Sequence, residues 1–250
     1  MNEMIQRYRD FLKDTVRLSI DFSRTDQSQG IPPPPIEKPI PPEAEPLDLP
    51  KSKRWEDIPA LELVTAIRLR RSQRNYTHTP LTLEEISFLL WATQGVSRRL
   101  GPGDALRTVP SAGCRHALET YLCILNVKEL EPGIYRYLPL EHQLLFEFSE
   151  KDLPEKIVDA SLGQTFLGRS AAVFIWAAIP YRMEWRYDRA AHKVILIDAG
   201  HICQNLYLAC EAIGAGTCAV AAYHQEKIDH LLRLDGKNEF VIYLAPVGKV

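Results

Sequence analysis

Nine of the 18 prolines in this 250-residue chain fall between Pro32 and Pro50, four of them in the unbroken run Pro32–Pro35. Proline lacks an N–H and fixes φ, so this stretch can enter neither a helix interior nor a central strand. It must run extended, spanning up to roughly 60 Å at polyproline rise. The chain is therefore expected to divide into residues 1–54, an N-terminal helix and proline-rich extended arm, and residues 55–250, a globular domain. Ahead of the arm, Met4, Tyr8, Phe11, Leu12 and Val16 repeat at helical spacing over residues 4–19. One reading of the arm is a ligand for an SH3- or WW-type partner. The other is a strap laid over the protein's own surface or that of a second subunit, with Ile31, Ile36, Ile40 and Leu47 as the residues to bury.

From Trp55 the pattern is globular. Residues 59–69 read as a helix carrying Leu61, Val64 and Ile67, and Thr82-Leu83-Glu84-Glu85 opens another that runs to Thr93 and stops at Gly95. Leu100-Gly101-Pro102-Gly103-Asp104 reads as loop. Residues 120–127, 133–138, 143–148, 171–179, 217–221 and 239–247 read as strands. Between the last strands lies a long helix, residues 189–213, capped by Asp188 and ended by Gly214. It is apolar on more than one face, so it should be buried in a core or against a second subunit. Helices, a run of antiparallel strands and then a mixed order give an α+β fold.

Charge and cysteine usage remove several function classes. The formal net charge of −2 gives no global field for nucleic acid or an anionic membrane. The longest apolar run, Ala171–Ile179, is too short to span a bilayer and reads as a buried strand. With no secretory pattern at Met1–Asp10, the expectation is a soluble, cytoplasmic protein. The five cysteines include no Cys-x-x-Cys, which argues against both a disulfide framework and a zinc site, and no metal is expected. Gly214-Ala215-Gly216-Thr217-Cys218-Ala219 matches a dinucleotide fingerprint in letters, but a helix precedes it and a strand follows, the reverse of what aims a helix at a pyrophosphate.

Four stretches remain after these structural needs are met. Arg70-Arg71-Ser72-Gln73-Arg74 sets three guanidinium groups and a hydroxyl within five positions, a cradle for a phosphate monoester. The same cations could simply complement the end of a helix. The others are the small-residue run Arg107–Gly113, the polar side of the long helix (Asp198, Gly200, His201, Gln204, Asn205) and the tail Pro246–Lys249.

Together with the segment Glu131–Tyr137, these stretches resemble the nitroreductase superfamily of flavin enzymes, and within it the SagB-like thiazole/oxazole-forming dehydrogenase branch. The matching pieces are Arg70, Ser72, Arg74 and Tyr76; Arg107, Pro110, Ser111, Ala112 and Gly113; the hairpin Glu131-Pro132-Gly133-Ile134-Tyr135-Arg136-Tyr137; Asp198 to Leu206; and Pro246 to Gly248. The resemblance covers about residues 55–250, and the N-terminal helix and arm also look like those of freestanding members.

The resemblance implies a nitroreductase-like fold, a central mostly antiparallel or mixed sheet flanked by helices, in a homodimer that buries the long helix. It implies FMN at the subunit interface. Arg70, Arg71, Ser72 and Arg74, joined by Lys249, would meet the phosphate and ribityl chain, with Arg74 nearest the charge of the reduced ring. Pro110, Ser111, Ala112 and Gly113 would let backbone approach the ring from the partner subunit. Gln204 lies on the long helix of the site, and Ala221 and Ala222 fall where a backbone N–H meets flavin N5. The activity implied is hydride transfer through N5 in a ping-pong cycle, as an NAD(P)H-dependent reductase of nitro or quinone acceptors or as a SagB-like dehydrogenase. The alternative within the branch is an azoline-to-azole peptide dehydrogenase. Azoline-oxidising members carry a Lys-Tyr pair where this chain has Arg186-Tyr187, its candidate catalytic residues. An arginine cannot act as a general base at ordinary pH. The alternative from another class is a non-enzymatic interaction module that uses the proline-rich arm.

Overall fold

The computed structural model describes residues 3–51, 55–101 and 103–250. The 54/55 boundary abuts Ser52–Arg54, and Pro102 sits in the expected loop; both lie outside the described residues.

A seven-stranded sheet organises the domain. Its strands are β1 (Leu47–Asp48), β4 (Leu118–Ile124), β5 (Gly133–Leu138), β6 (Gln143–Phe148), β7 (Ala172–Ala178), β8 (Ala215–Thr217) and β9 (Phe240–Lys249), in the order β1-β6-β5-β4-β7-β9-β8. Every paired neighbour is antiparallel. A separate hairpin joins β2 (Val96–Gly101) to β3 (Asp104–Arg107). It occupies the expected loop, and its hidden signal is physical: β2 is almost wholly exposed, so no alternation of apolar residues marks it.

Side chains on β4 and β7 alternate between two cores because successive strand residues face opposite ways. Leu122, Phe174, Trp176 and Ala178 pack with α3 (Leu83–Gln94) and α7 (Ala191–Ala212). Tyr121, Cys123, Val173 and Ile175 face α4 (Leu153–Ala160), α5 (Thr165–Gly168) and α8 (Gln225–Leu231). All seven residues of β7 are buried, as a strand covered on both faces should be.

Local signals explain most boundaries. Thr82 and Glu85 form a reciprocal capping box that starts α3. Gly214, at φ +60°, follows the end of α7. The start of the long helix differs from expectation. Tyr181–Tyr187 forms its own helix, α6, and Asp188 sits beyond it at φ 48°, so it breaks the chain instead of capping α7. At the front, α1 covers Glu3–Leu12 and gives way to a 3-10 turn at Thr15–Ser19, while α2 is confined to Leu63–Leu69.

The proline-rich arm lies across its own chain. Of the four residues expected to anchor it, Ile36 is buried, whereas Ile31, Ile40 and Leu47 remain exposed; Ile20 and Leu49 are buried instead. What holds the arm is chiefly its carbonyls. Buried donors from the domain take those of Ile31 (Trp185 Nε1, 2.9 Å), Pro34 (Arg115, 2.9 Å), Ile36 (Arg107, 3.0 Å), and Lys38 and Pro39 (Arg136, both 3.1 Å). An extended proline segment cannot satisfy its carbonyls internally, so guanidinium and indole donors are the natural clasp.

Candidate active site

Most of the residues singled out in the sequence gather in two clusters at different levels of α7.

The first is built around the basic turn. Arg70 closes α2 in a non-helical conformation, and the chain then runs beside the edge strand β8, with Ser72 bridging Thr217 in parallel and Gln73 N–H donating to Thr217 O at 2.9 Å. Tyr76 secures the turn by donating to Gln73 O (2.8 Å), and its side chain packs on Gly248, where a β-carbon would be 2.9 Å from Tyr76 Cγ. Tyr207 of α7 centres the cluster: its hydroxyl accepts from Ala219 N–H (2.8 Å) and pairs with Ser72 Oγ (2.9 Å). The Arg70 guanidinium lies 5.2 Å from the Tyr207 ring centre, and that of Arg74 5.9 Å from Phe166. Gln164 donates to Ala222 O at 2.8 Å, which draws Ala221 and Ala222 into the same neighbourhood. Glu211 faces Arg70 and Arg71; burial raises its carboxyl, and those two charges oppose the rise. Thr217 Oγ1 is buried with no partner.

The second cluster holds Pro110–Gly113. Ser111 hydroxyl and Ala112 N–H face the carboxylate of Asp198, on the first half of α7, and Ser111 Oγ accepts from His116 N–H at 3.0 Å. Burial raises the Asp198 carboxyl despite those hydrogen bonds, and its Oδ2 has no partner. Beneath the loop is a void of about 10 Å³ bordered by Gln94, Ser111, His116 and Asp198. Gly113, at φ +60°, packs against α6: a β-carbon there would sit 2.6 Å from Tyr187 Oη and 3.0 Å from Arg186 Cδ and Nε. The Arg186 guanidinium in turn lies 5.5 Å from the Tyr187 ring centre.

Asp198 and Tyr207 are nine positions apart, so the clusters stand about 14 Å apart along the helix axis. Gln204 is exposed on α7 between them. Lys249 belongs to neither. Its ammonium is held at 2.5 Å by both Glu85 Oε1 and Ile213 O, at the carbonyl end of α7. Sequence reasoning passed over Tyr207, Phe166 and Thr217, whose side chains look like ordinary core residues. Asp198 and His201 share the polar side of the long helix in sequence, but Asp198 is buried under the loop and His201 is exposed.

Between α2, α3 and α7 runs an apolar groove of about 600 Å³ lined by Trp55, Ile58, Leu63, Phe88, Trp91 and Leu208. Leu63, Val64 and Ile67 on α2 are exposed, as are Leu196 and Ile197 farther toward the start of α7.

No helix among the described residues is long and apolar enough to cross a membrane. Residues 67–249 match the model of the nitroreductase family. Among curated proteins, the chain is 33% identical over 193 residues to a nitroreductase-type protein of Methanocaldococcus jannaschii, covering 77% of this chain and 93% of that one. It is 26% identical over 154 residues to the microcin B17-processing protein McbC of Escherichia coli, covering 60% of this chain but only 56% of McbC. Among solved structures, a nitroreductase-type protein of Ralstonia eutropha JMP134 superposes with a TM-score of 0.67 at 26% identity, over 88% of this chain and 98% of the other. The Escherichia coli microcin synthetase McbBCD complex shares the fold at a TM-score of 0.61 and 20% identity, over 78% of this chain and 76% of the matched one. With its fold, its motif order and most of its length in agreement, the chain belongs to the nitroreductase family.

Proposed function

We propose that the protein is an FMN-dependent oxidoreductase that works as a homodimer and passes a hydride from NADH or NADPH to a nitroaromatic or quinone-type acceptor. The observation that carries this reading is the separation of the two clusters along α7. One chain supplies an anion cradle at one level and a small-residue loop at another, which suits a site closed by two chains arranged about a two-fold axis.

The exposed surface agrees. Leu63, Val64 and Ile67 on α2, and separately Leu196 and Ile197 on the first half of α7, are apolar side chains left exposed on the single chain, as surfaces meant to be covered would be. Gly200 sits mid-helix one turn beyond Leu196 on α7, where an added β-carbon would meet nothing in this chain. Glycine there costs about 1 kcal/mol of helix propensity, and close approach by a second helix offsets it.

The residues present fit the cofactor. Arg70, Arg71 and Arg74 make no direct ion pair among the described residues; Glu211 offsets part of the charge of Arg70 and Arg71, and the turn keeps a net positive charge for a phosphate. Thr217 Oγ1 is an orphan hydroxyl beside them. The bound flavin would supply two-electron chemistry, accepting a hydride from one substrate and releasing it to the next. The protein's part is to hold the phosphate with the basic turn, to lay the side-chain-poor backbone of Ser111–Gly113 against the ring, and to place Tyr187 Oη where it can donate to a bound acceptor.

McbC, a relative, is named for processing microcin B17. Azoline oxidation is the weaker reading here, because Arg186 cannot take up a substrate proton at ordinary pH. The adapter reading of the arm is weaker still: the carbonyls of Ile31, Pro34, Ile36, Lys38 and Pro39 are already engaged within the chain. The test is to purify the protein, record its visible absorption and titrate it with FMN. Flavin absorbance, one FMN per chain and dimeric mass are expected; a monomer with no FMN uptake would contradict the reading.

A further inference from the structure

Arg115 connects the arm to the loop that carries Ser111–Gly113. Its side chain is fully enclosed and uses four of its five N–H groups: Nε to Arg182 O (3.1 Å), Nη1 to Gly103 O (2.5 Å) and Asp104 Oδ1 (2.8 Å), and Nη2 to Pro34 O (2.9 Å). Its guanidinium also stacks 4.8 Å from the centre of Trp185. Trp185 donates to the arm at Ile31 O, and its own carbonyl accepts from Gln27 N–H at 3.0 Å.

The positions of these two residues matter more than their number of bonds. Arg115 directly follows the turn Ala112–Cys114, and Trp185 directly precedes Arg186 and Tyr187 on α6. The two segments that meet at Gly113 are thus each anchored, one residue away, to the same stretch of arm. Pro33 closes the gap: a β-carbon on Gly103 would lie 2.6 Å from it, so arm and hairpin are in contact behind Arg115.

We propose that residues 31–36 of the arm are a positioning element of the active site, with Arg115 and Trp185 as the positioning residues. They fix the Ser111–Gly113 loop against Arg186 and Tyr187. This rests on the proposed flavin site, but the geometry it concerns exists without flavin. A clasp that merely stabilised the fold would not distinguish Arg115 from Arg136. Arg136 is equally enclosed and holds the next stretch of the same arm, at Lys38 and Pro39, from strand β5.

The experiment compares full-length wild type with Arg115→Gln, Arg115→Lys and Arg136→Gln. Both Gln variants should lower the thermal midpoint. Arg115→Gln alone should raise the FMN dissociation constant at least tenfold and alter the visible spectrum of the flavin still bound, with Arg115→Lys recovering part of the loss. Arg136→Gln should stay within twofold of wild type. Equal weakening by both Gln variants, or an Arg115→Gln protein within twofold of wild type, would overturn the proposal. If Arg115→Gln fails to fold, Trp185→Phe removes only the bond to Ile31 while keeping a ring beside Arg115; FMN affinity reduced about threefold supports the proposal, and unchanged affinity overturns it. Amide hydrogen exchange on the flavin-free proteins separates this idea from the functional reading. Faster exchange over 110–114 and 181–187 in Arg115→Gln or Trp185→Phe, absent in Arg136→Gln, supports positioning whether or not FMN binds. Exchange unchanged in both regions overturns it.

Discussion

Gly113 lies so close to Tyr187 that a single β-carbon on the glycine would come within 2.6 Å of the phenolic oxygen. The residue is also at φ +60°, a conformation that costs an L-residue about 1–2 kcal/mol. Loop and helix α6 can therefore meet as they do only if position 113 has no side chain. Gly113→Ala is expected to leave the fold intact, with about 1–2 kcal/mol lost in urea unfolding, and to cut acceptor turnover at least tenfold by displacing Tyr187. Turnover within twofold of wild type would show that this contact does not shape the site.

Glu119 and Arg182 form a hydrogen-bonded ion pair in which both side chains are almost wholly enclosed. Burial is the largest single influence and would raise the Glu119 carboxyl, but the charge and hydrogen bond of Arg182, with the charges of Arg136 and Arg107, together outweigh it and hold the group below its usual range. Glu119 also accepts from Lys38 N–H of the arm at 2.9 Å. Glu119→Gln should cost about 3–5 kcal/mol in chemical unfolding, because it strands a buried guanidinium. The double change Glu119→Leu with Arg182→Met should recover a large part of that. A double variant no more stable than the single one would contradict this account of the pair.

His116 gives a pH dependence whose sign can be worked out. Burial, reinforced by the Arg107 charge, lowers its pKa from 6.5 to about 3, and its Nε2 lies 2.8 Å from Ala105 O, consistent with a neutral ring donating there. Below pH 6.5 the unfolded chain binds a proton that the folded chain refuses, so stability falls as the pH drops from 6.5 toward 3. The slope from this group is at most about 1.4 kcal/mol per pH unit. His116→Gln, which can still donate but does not titrate, should flatten the profile over that window; parallel profiles for both proteins would contradict the assignment.

The sequence revealed elements wherever one period dominated. Strands β5 and β6 match their expected limits, and the helix opened by Thr82 has its capping box in place. The basic turn and the small-residue run were legible because arginine clusters and glycine-bearing runs are chemically unusual. Tyr207 and Phe166 were not, because an aromatic that supports a guanidinium has the same spacing as one that fills a core. The arm shows another limit. Its extended course followed from proline, but most of its anchors are carbonyls, which every residue has and no pattern of side chains discloses.

The Arg186 side chain sits against Gly113, where a lysine could present an ammonium able to release its proton. Arg186→Lys should leave reduction of a quinone within threefold of wild type and introduce measurable oxidation of an azoline-containing peptide. Loss of quinone reduction beyond tenfold would instead place the arginine at the centre of the existing chemistry.

The central claim is that each flavin site is assembled from two chains, and subunit mixing tests it most directly. Arg70→Ala with Arg74→Ala removes the anion cradle, and Gly113→Val blocks the loop. Each variant alone should form a dimer with little FMN. Co-expressed and purified as a mixed dimer through two different tags, they should bind one FMN per pair of chains, because one of the two sites then draws both intact halves. A mixed dimer that binds no more FMN than either variant alone would mean that both halves must come from a single chain, and would contradict the account.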